Sequence, residues 1–172
     1  LTIVIYMSAN ITVQINLEYQ KNISQKLIID VANIARKIGS KGLCSSSIGI
    51  VITNNEELKN LHYRHLEKNT VTDVLAFPYN EIWKEGKLLN GSTIDTLDNE
   101  HNHLGDIIVS FPQAQKQAQM YKHQIEIEIA TLIAHGTLHL LGFDHFKQSE
   151  NILMKEKTLM ILKKFNFSNQ TL

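Results

Sequence analysis

The segment HGTLHLLGFDH, residues 135–145, holds three of the chain's eight histidines. His135 and His139 are four residues apart, so on a helix they lie on the same face. Gly142 follows three residues later, and a glycine there can adopt a positive φ, end the helix and turn the chain back. Such a turn would bring His145 towards the other two histidines. The spacing therefore predicts a helix and a turn that gather three imidazoles around one metal ion.

Three neutral imidazoles and a water form the ligand set of a catalytic zinc site. The spacing HxxxHxxGxxH is that of the metzincin zinc peptidases, in which a glutamate general base follows the first histidine. Here that position is Gly136. A glycine inside a helix costs about 1 kcal/mol relative to alanine, and open space beside the ion for a bulky substrate would explain it. The pattern predicts one Zn²⁺ but disfavours peptide hydrolysis by the usual route, although the metal alone can acidify a bound water.

Composition limits the class of protein. The 172 residues suffice for one domain with a sizeable core. The net charge of zero argues against a broadly basic coat for nucleic acid, but it leaves room for a local basic cleft. Cys44 is the single cysteine and cannot form an internal disulfide, which is typical of a reducing compartment such as the cytoplasm. No apolar run has the length of a transmembrane helix.

The chain divides into three parts by its patterning. The opening LTIVIYMSAN is apolar but lacks the basic start of a signal peptide. Because Met7 stands inside it, we expect residues 1–10 to be an extension of uncertain status, with translation starting at Met7. Residues 11–165 are predicted to form a single catalytic domain, followed by a C-terminal tail at 166–172.

Hydrophobic periodicity predicts an α+β fold: a single mixed sheet of about four strands packed with about five helices. The predicted strands are 11–17, 47–53, 74–78 and 104–110. The predicted helices are 22–38, 55–65 after an Asn54 cap, about 111–122 after Ser110, 124–140 and about 150–165. Residues 79–103 are predicted to be a long loop with a short hairpin around residues 83–88, and a loop of this length is unusual unless it is functional.

Three segments together resemble one known family. HGTLHLLGFDH resembles the HGxLHLxGYDH signature of the YbeY family, with Phe143 where that family usually has tyrosine. LHYRHLEKNTVTDVLAFP (61–78) and LGDIIVS (104–110) resemble two further segments of it. The resemblance covers residues 11–165. It implies an α+β fold related to zinc peptidases, a zinc ion held by His135, His139 and His145, and a cleft that takes RNA.

The YbeY family consists of bacterial endoribonucleases of ribosomal RNA maturation. The resemblance therefore implies a cytoplasmic, zinc-dependent endoribonuclease specific for single-stranded RNA, which acts in 16S 3′-end processing and in ribosome quality control. The implied partners are ribosomal RNA and ribosomal particles or proteins, with no membrane and no DNA. The resemblance also makes Arg64 the functional arginine, since a guanidinium matches phosphate oxygens with two hydrogen bonds. From spacing alone, Arg64 would be a solvated cation at a helix end.

Several alternatives remain open from the sequence. No side chain stands out as a general base, so either a zinc-activated water or the substrate's own 2′-OH is the attacking group. A zinc peptidase-like hydrolase and a non-enzymatic, metal-stabilised ribosome assembly factor are the rival functions. Asp144 either orients a ligand histidine or forms a turn, while Asp73 is expected to order the loop before a strand. His62 and His65 are expected to be solvated or structural.

Overall fold

The computed structural model describes residues 3–8, 10–42, 44–67, 69–79, 81–89, 103–145 and 147–167. The strands are β1 (Ile3–Met7), β2 (Ile11–Asn16), β3 (Ser47–Thr53), β4 (Val74–Pro78), β5 (Trp83–Lys84), β6 (Lys87–Leu88) and β7 (His103–Ser110). The α-helices are α1 (Gln25–Gly39), α2 (Asn55–Leu66), α3 (Phe111–Tyr121), α4 (Ile125–Leu140) and α5 (Gln148–Lys163). A 3₁₀ helix, Leu17–Asn22, precedes α1.

The main sheet is mixed, with the strand order β1-β2-β3-β7-β4. The three central strands β2, β3 and β7 run parallel, and the edge strands β1 and β4 are antiparallel to their neighbours. The predicted α+β class is confirmed, with five strands in this sheet instead of about four. The additional strand is β1, which lies in the segment predicted to be an extension. The proposed domain boundaries stay a prediction.

Both faces of the sheet are covered where its central strands lie. On β3, Ile48, Ile50 and Ile52 are buried in the large core shared with α1 and α4. Val51 points to the other face, where it packs in a smaller cluster around Leu58 of α2. Parallel strands buried on both faces form nearly continuous apolar runs, which is why SIGIVIT and LGDIIVS are mostly apolar.

Helix α4 is the central helix of the fold. It packs against α1, α3, α5 and the strands β4 and β7. Eleven of its sixteen residues are buried, which is typical of a helix that is hydrophobic all round because it has neighbours on every side. The helix predicted over 124–140 is confirmed. The packing holds this helix firmly and so determines where His135 and His139 lie.

The predicted helix boundaries are mostly right, with one clear correction. The helix predicted over 22–38 begins at Gln25, because Ser24 provides the cap: its Oγ accepts a hydrogen bond from the Leu27 N–H at 3.3 Å. Asn22 instead belongs to the preceding 3₁₀ helix. The caps predicted at Asn54 and Ser110 are confirmed.

The long loop predicted over 79–103 is partly structured. Residues 83–88 form the predicted hairpin, β5 paired with β6. Residue 80 and residues 90–102 lie outside the described part of the chain, as do residues 168–172 of the predicted tail. Among the described helices, none combines the length and hydropathy needed to cross a bilayer.

Candidate metal centre

The structure brings the three predicted histidines together. Their ligand nitrogens, one from each ring, all lie within 4.8 Å of one another. The Nε2 atoms of His135 and His139 are 3.1 Å apart, as expected for a pair one helical turn apart. The ring of His145 lies 5.5 Å from that of His135 and 5.2 Å from that of His139, measured between centroids. Two half-buried imidazoles and one exposed imidazole thus converge on one point.

The turn after α4 places His145, and Gly142 makes the turn possible. Gly142 has φ +73° and a Cβ there would lie 2.1 Å from the Trp83 carbonyl oxygen, so both conformation and space require glycine. The β5–β6 hairpin holds this turn through two backbone bonds: Glu85 N–H donates to the Gly142 carbonyl at 3.0 Å, and Gly86 N–H donates to the Leu141 carbonyl at 2.9 Å. The predicted return of the chain at Gly142 is confirmed.

Burial keeps the two helical histidines uncharged. The pKa of His135 is lowered to about 4, mainly by burial and in the same direction by the neighbouring His139 and His145, while the Asp73 carboxylate opposes the shift. Burial also lowers the pKa of His139, again with His145 acting in the same direction. Neutral imidazoles present lone pairs to a cation at neutral pH. Three nitrogen ligands within reach of one another therefore fit a divalent ion such as Zn²⁺.

The histidines lie in the wall of an open cleft of about 720 Å³. One side is formed by the chain entering β4, from Thr72 to Ala76, and another by the hairpin residues Trp83 and Lys84. The turn that carries Gly142 and His145 completes the lining. This volume lies within the range of about 300–1,000 Å³ typical of ligand sites.

A family model described as Endoribonuclease YbeY matches residues 8–166. The chain belongs to the YbeY family. Curated YbeY endoribonucleases confirm the assignment. A protein of Syntrophomonas wolfei is 37% identical over 151 residues, covering 88% of this chain and 92% of its own length. A Dehalococcoides mccartyi protein is 39% identical over 130 residues, with coverage of 72% and 81%. Family membership makes the chain a hydrolase that acts on RNA.

A solved structure shows the same fold. The solution structure of a Thermotoga maritima protein superposes with a TM-score of 0.55 and covers 94% of this chain and 95% of its own. Its sequence is 19% identical, so the likeness concerns the fold alone.

In this YbeY chain, Arg64 lies in the exposed last turn of α2. It is not among the described residues that line the large cleft. Its neighbours have structural roles, as expected: His62 is buried with its Nδ1 2.9 Å from the Thr70 carbonyl oxygen, and the His65 ring packs on Phe77 at 4.8 Å. The bond from His62 ties the end of α2 to the loop that leads into the cleft. The functional role of Arg64 stays a prediction.

Asp73 orders the cleft wall, as predicted. Its carboxylate accepts hydrogen bonds from the Val74 N–H and from the Gln117 side chain, both at 2.8 Å. Its carbonyl accepts from the Ser110 N–H at 2.8 Å. These bonds join the loop before β4 to the start of α3. Asp144 accepts from the His145 backbone N–H at 2.7 Å, which favours the turn-forming alternative for that residue.

Gly136 has a different explanation from the one predicted. It is buried, and a Cβ there would lie 2.8 Å from Cγ2 of Ile107 on β7. The space at its Cβ is therefore filled by Ile107, a reason for glycine that the sequence did not predict, while Gly136 itself also lines the large cleft beside the histidines. The glycine lets α4 lie close against β7. A glutamate at this position, the peptidase base, would place its Cβ 2.8 Å from Cγ2 of Ile107, so the buried isoleucine side chain would have to shift.

One buried ion pair was not predicted. His123, between α3 and α4, lies 3.0 Å from Glu128 on α4, and the two side chains are only 5% and 8% exposed. Burial raises the pKa of Glu128, while His123 opposes the shift. The two acidic residues within the apolar run IEIEIA were the available signal, because a helix with neighbours on every side has to bury one of them, here Glu128, and a buried carboxylate needs a partner.

Proposed function

We propose that this chain is a zinc-dependent endoribonuclease that cleaves single-stranded RNA in ribosomal RNA maturation, working on ribosomal particles in the cytoplasm. One observation carries the proposal: three imidazoles, two of them kept neutral by burial, converge in the wall of an open cleft. Membership in an endoribonuclease family supplies the substrate class. The processing of the 16S 3′ end and a role in ribosome quality control belong to this proposal.

The proposed ligands are His135, His139 and His145, with one ion per chain. A bound Zn²⁺ would supply a Lewis acid and a water acidified to a pKa near 7 in favourable cases. The protein contributes rigidity: α4 is packed on all sides, and the hairpin holds the turn before His145. Ligands held in place in this way need little rearrangement when the ion binds.

Cleavage also requires a group that stabilises the negative charge on the scissile phosphate. We propose that Arg64 binds the scissile phosphate and offsets the charge that develops in the transition state. Asp73 acts as a positioning residue, since both of its carboxylate oxygens are used in hydrogen bonds to the loop and to α3. No general base is assigned among the described residues that line the cleft.

The test combines metal analysis with cleavage assays on single-stranded and double-stranded RNA. His139→Ala should lose both the metal and the activity. Arg64→Ala should keep the metal and lose about 10²–10³ in cleavage rate, the effect of removing one charge-stabilising group. Lys116→Ala, which removes an exposed cation on α3, is the control and should behave as wild type. Full metal content and full activity in His139→Ala would overturn the metal assignment.

The rival functions are tested in parallel. A peptidase would cleave casein or a peptide panel. Gly136, which stands in place of the glutamate base, argues against this function. An assembly factor would bind ribosomal particles without turnover under any metal, and its binding would persist in Arg64→Ala. Cleavage of RNA without cleavage of peptides would support the endoribonuclease.

The attacking group is identified by a separate substrate. An RNA with one 2′-deoxy residue at the cut site lacks the internal nucleophile. Unimpaired cleavage of this RNA would eliminate the 2′-OH route and leave water as the attacking group. Complete resistance at that site, with cleavage elsewhere, would support attack by the 2′-OH.

A further inference from the structure

A second, smaller cleft reaches the same histidines between α4 and α5. Its volume is about 350 Å³. Among the described residues, His135 and His145 line both this cleft and the larger one, and the two clefts share no other lining residue. The candidate metal centre therefore stands where two separate cavities meet, and a chain that crosses it can occupy both.

The lining of the smaller cleft combines apolar walls with a few polar side chains. Met154, Leu159 and Leu162 supply apolar walls, and three polar side chains stand among them: Thr131, Asn151 and Thr158. The two threonine hydroxyls donate to backbone carbonyls, Thr131 to Ile127 at 2.7 Å and Thr158 to Met154 at 2.9 Å. Their oxygens keep lone pairs that can accept from a ligand, and the Asn151 amide can both donate and accept.

Charge distinguishes the two clefts. Carboxylates from Asp73, Glu81 and Asp144 stand in the larger cleft, with Lys84 as the lysine there. Among the described residues that line the smaller cleft, Lys155 is the one lysine, and no arginine or carboxylate lines it. Lys155 is exposed at the cleft and on α5. A phosphodiester chain that enters on this side meets a cation and no carboxylate from the lining.

We propose that the α4–α5 cleft is a base-binding subsite, which holds one unpaired nucleobase of the RNA next to the phosphate at the histidines. This inference rests on the proposed function and extends it to substrate recognition. The volume suits a single ring system, near the lower limit of ligand sites. Unpaired bases in proteins are held by apolar packing and by hydrogen bonds to their edges, and Lys155 pairs with the phosphate beside the base.

The subsite gives a physical reason for single-strand specificity. A base in a duplex is stacked and paired, so its entry would cost the unpairing and unstacking energy of a few kcal/mol. An unpaired base enters without that cost. Recognition of this kind acts at one position relative to the cut, so base identity there should affect cleavage more than base identity elsewhere.

The test fills the cleft with a large side chain. Asn151→Trp would occupy the subsite, and Ile152→Trp is the matched control, because Ile152 is the next residue, is 53% exposed and does not line the cleft. Thr158→Val is a second variant that keeps the shape of the side chain and removes its polar oxygen. Metal content and thermal unfolding are measured for each, so that loss of the fold is recognised.

Two readouts are taken. Cleavage of a pool of single-stranded RNAs with randomised bases should show that Asn151→Trp loses at least about tenfold in rate and flattens the preference beside the cut, while Ile152→Trp behaves as wild type. Titration with 5′-AMP, 5′-CMP, 5′-GMP and 5′-UMP, followed by NMR of the metal-loaded protein, should show binding in wild type and Ile152→Trp and its loss in Asn151→Trp. Thr158→Val should change which bases are preferred without changing metal content.

The outcomes separate this inference from the proposed function. Wild-type rate and preference in Asn151→Trp, with cleavage intact, would overturn the subsite and leave the endoribonuclease standing. If neither the wild type nor any variant cleaves RNA, the proposed function fails, and the nucleotide titration alone tests the subsite. Binding that Asn151→Trp abolishes then supports the subsite, and binding that is absent or unaffected overturns it.

Discussion

Single residues decide the geometry of the centre, and two of the decisive ones are glycines. Gly136 allows α4 to approach β7, where Ile107 fills the space of a missing side chain. Gly142 allows the chain to turn back at a positive φ beneath the Trp83 carbonyl. Neither residue offers a ligand atom from a side chain. Both act by letting the backbone come where a Cβ would prevent it.

The requirement at Gly142 is testable against a second glycine of the same conformation. Gly42 has φ +84° and a Cβ added there would meet no atom within 4 Å, whereas Gly142 combines φ +73° with the carbonyl at 2.1 Å. Gly42→Ala should cost about 1–2 kcal/mol, the penalty of the left-handed conformation alone. Gly142→Ala should cost clearly more and lower metal affinity, as urea unfolding and metal titration would show. Equal losses in the two variants would mean that the hairpin contact is unimportant.

The lowered pKa of His135 predicts acid sensitivity of the metal-free protein. Its pKa is about 4 in the folded state against 6.5 for the free side chain. Between these values the unfolded chain binds more protons, so the free energy of unfolding falls as the pH falls, by roughly 1.5 kcal/mol between pH 6.5 and pH 5. The lowered pKa of His139 acts in the same direction.

The measurement is urea unfolding of metal-free wild type and His135→Gln across this pH range. The raised pKa of Glu128 acts in the opposite sense, since stability there falls as the pH rises above 4.5. The difference between the two proteins, and not the wild-type slope alone, therefore reports His135. Parallel curves for the two proteins would contradict the lowered pKa.

At the scale of elements, the site depends on how α4 is held at both ends. Its C-terminal turn is bound by the hairpin, through the carbonyls of Leu141 and Gly142. Its N-terminal turn is bound to the short connection after α3 by the buried pair of His123 and Glu128. The sequence predicted the hairpin of the first contact, but not that it binds the end of α4. The second joins two residues only five positions apart in the sequence, across the N-cap of α4.

The buried pair should be worth more than a surface pair. Glu128→Ala removes one partner and leaves a buried imidazole nitrogen without its hydrogen bond, which typically costs about 1–3 kcal/mol. Lys26 and Asp30 form an exposed pair on α1, with side chains 84% and 39% exposed, and Asp30→Ala should cost about 0.5 kcal/mol or less. Chemical denaturation of both variants gives the comparison. A loss in Glu128→Ala no larger than that in Asp30→Ala would show that the buried pair does not anchor α4.

At the scale of the whole molecule, the sheet and α4 form one frame with the candidate centre at the end of α4. The cleft wall from β4, the hairpin and the turn after α4 come from separate parts of the chain. An ion bound by His135, His139 and His145 would link the end of α4 to the segment after Gly142. Metal binding should therefore stabilise the native state, because the unfolded chain does not hold the three rings together.

Metal removal provides the measurement. At a free Zn²⁺ concentration about 100 times its Kd, binding adds about 2.7 kcal/mol, or an increase in Tm of roughly 5–10 °C for a domain of this size. Calorimetry with and without a chelator should show this shift in wild type and in the control His65→Ala, whose exposed ring packs on Phe77. The shift should be absent in His139→Ala, and an equal shift in that variant would contradict the ligand set.

The sequence by itself determined the elements that depend on local rules. Strands at 47–53 and 74–78 and the caps at Asn54 and Ser110 lie where predicted, because side-chain alternation and capping oxygens act within a few residues. The convergence of His135, His139 and His145 was also predictable, since a helical repeat and one glycine turn relate all three.

Only the tertiary structure decided what depends on distant segments meeting. The pairing of β1 with β2, the role of Ile107 in requiring Gly136, and the lowered pKa of His135 arise from packing between elements. The cleft between α4 and α5 exists because two helices that are separate in the sequence pack side by side. Periodicity reports which face of a helix is apolar, but neither the neighbour that covers the face nor the space left between them is encoded locally.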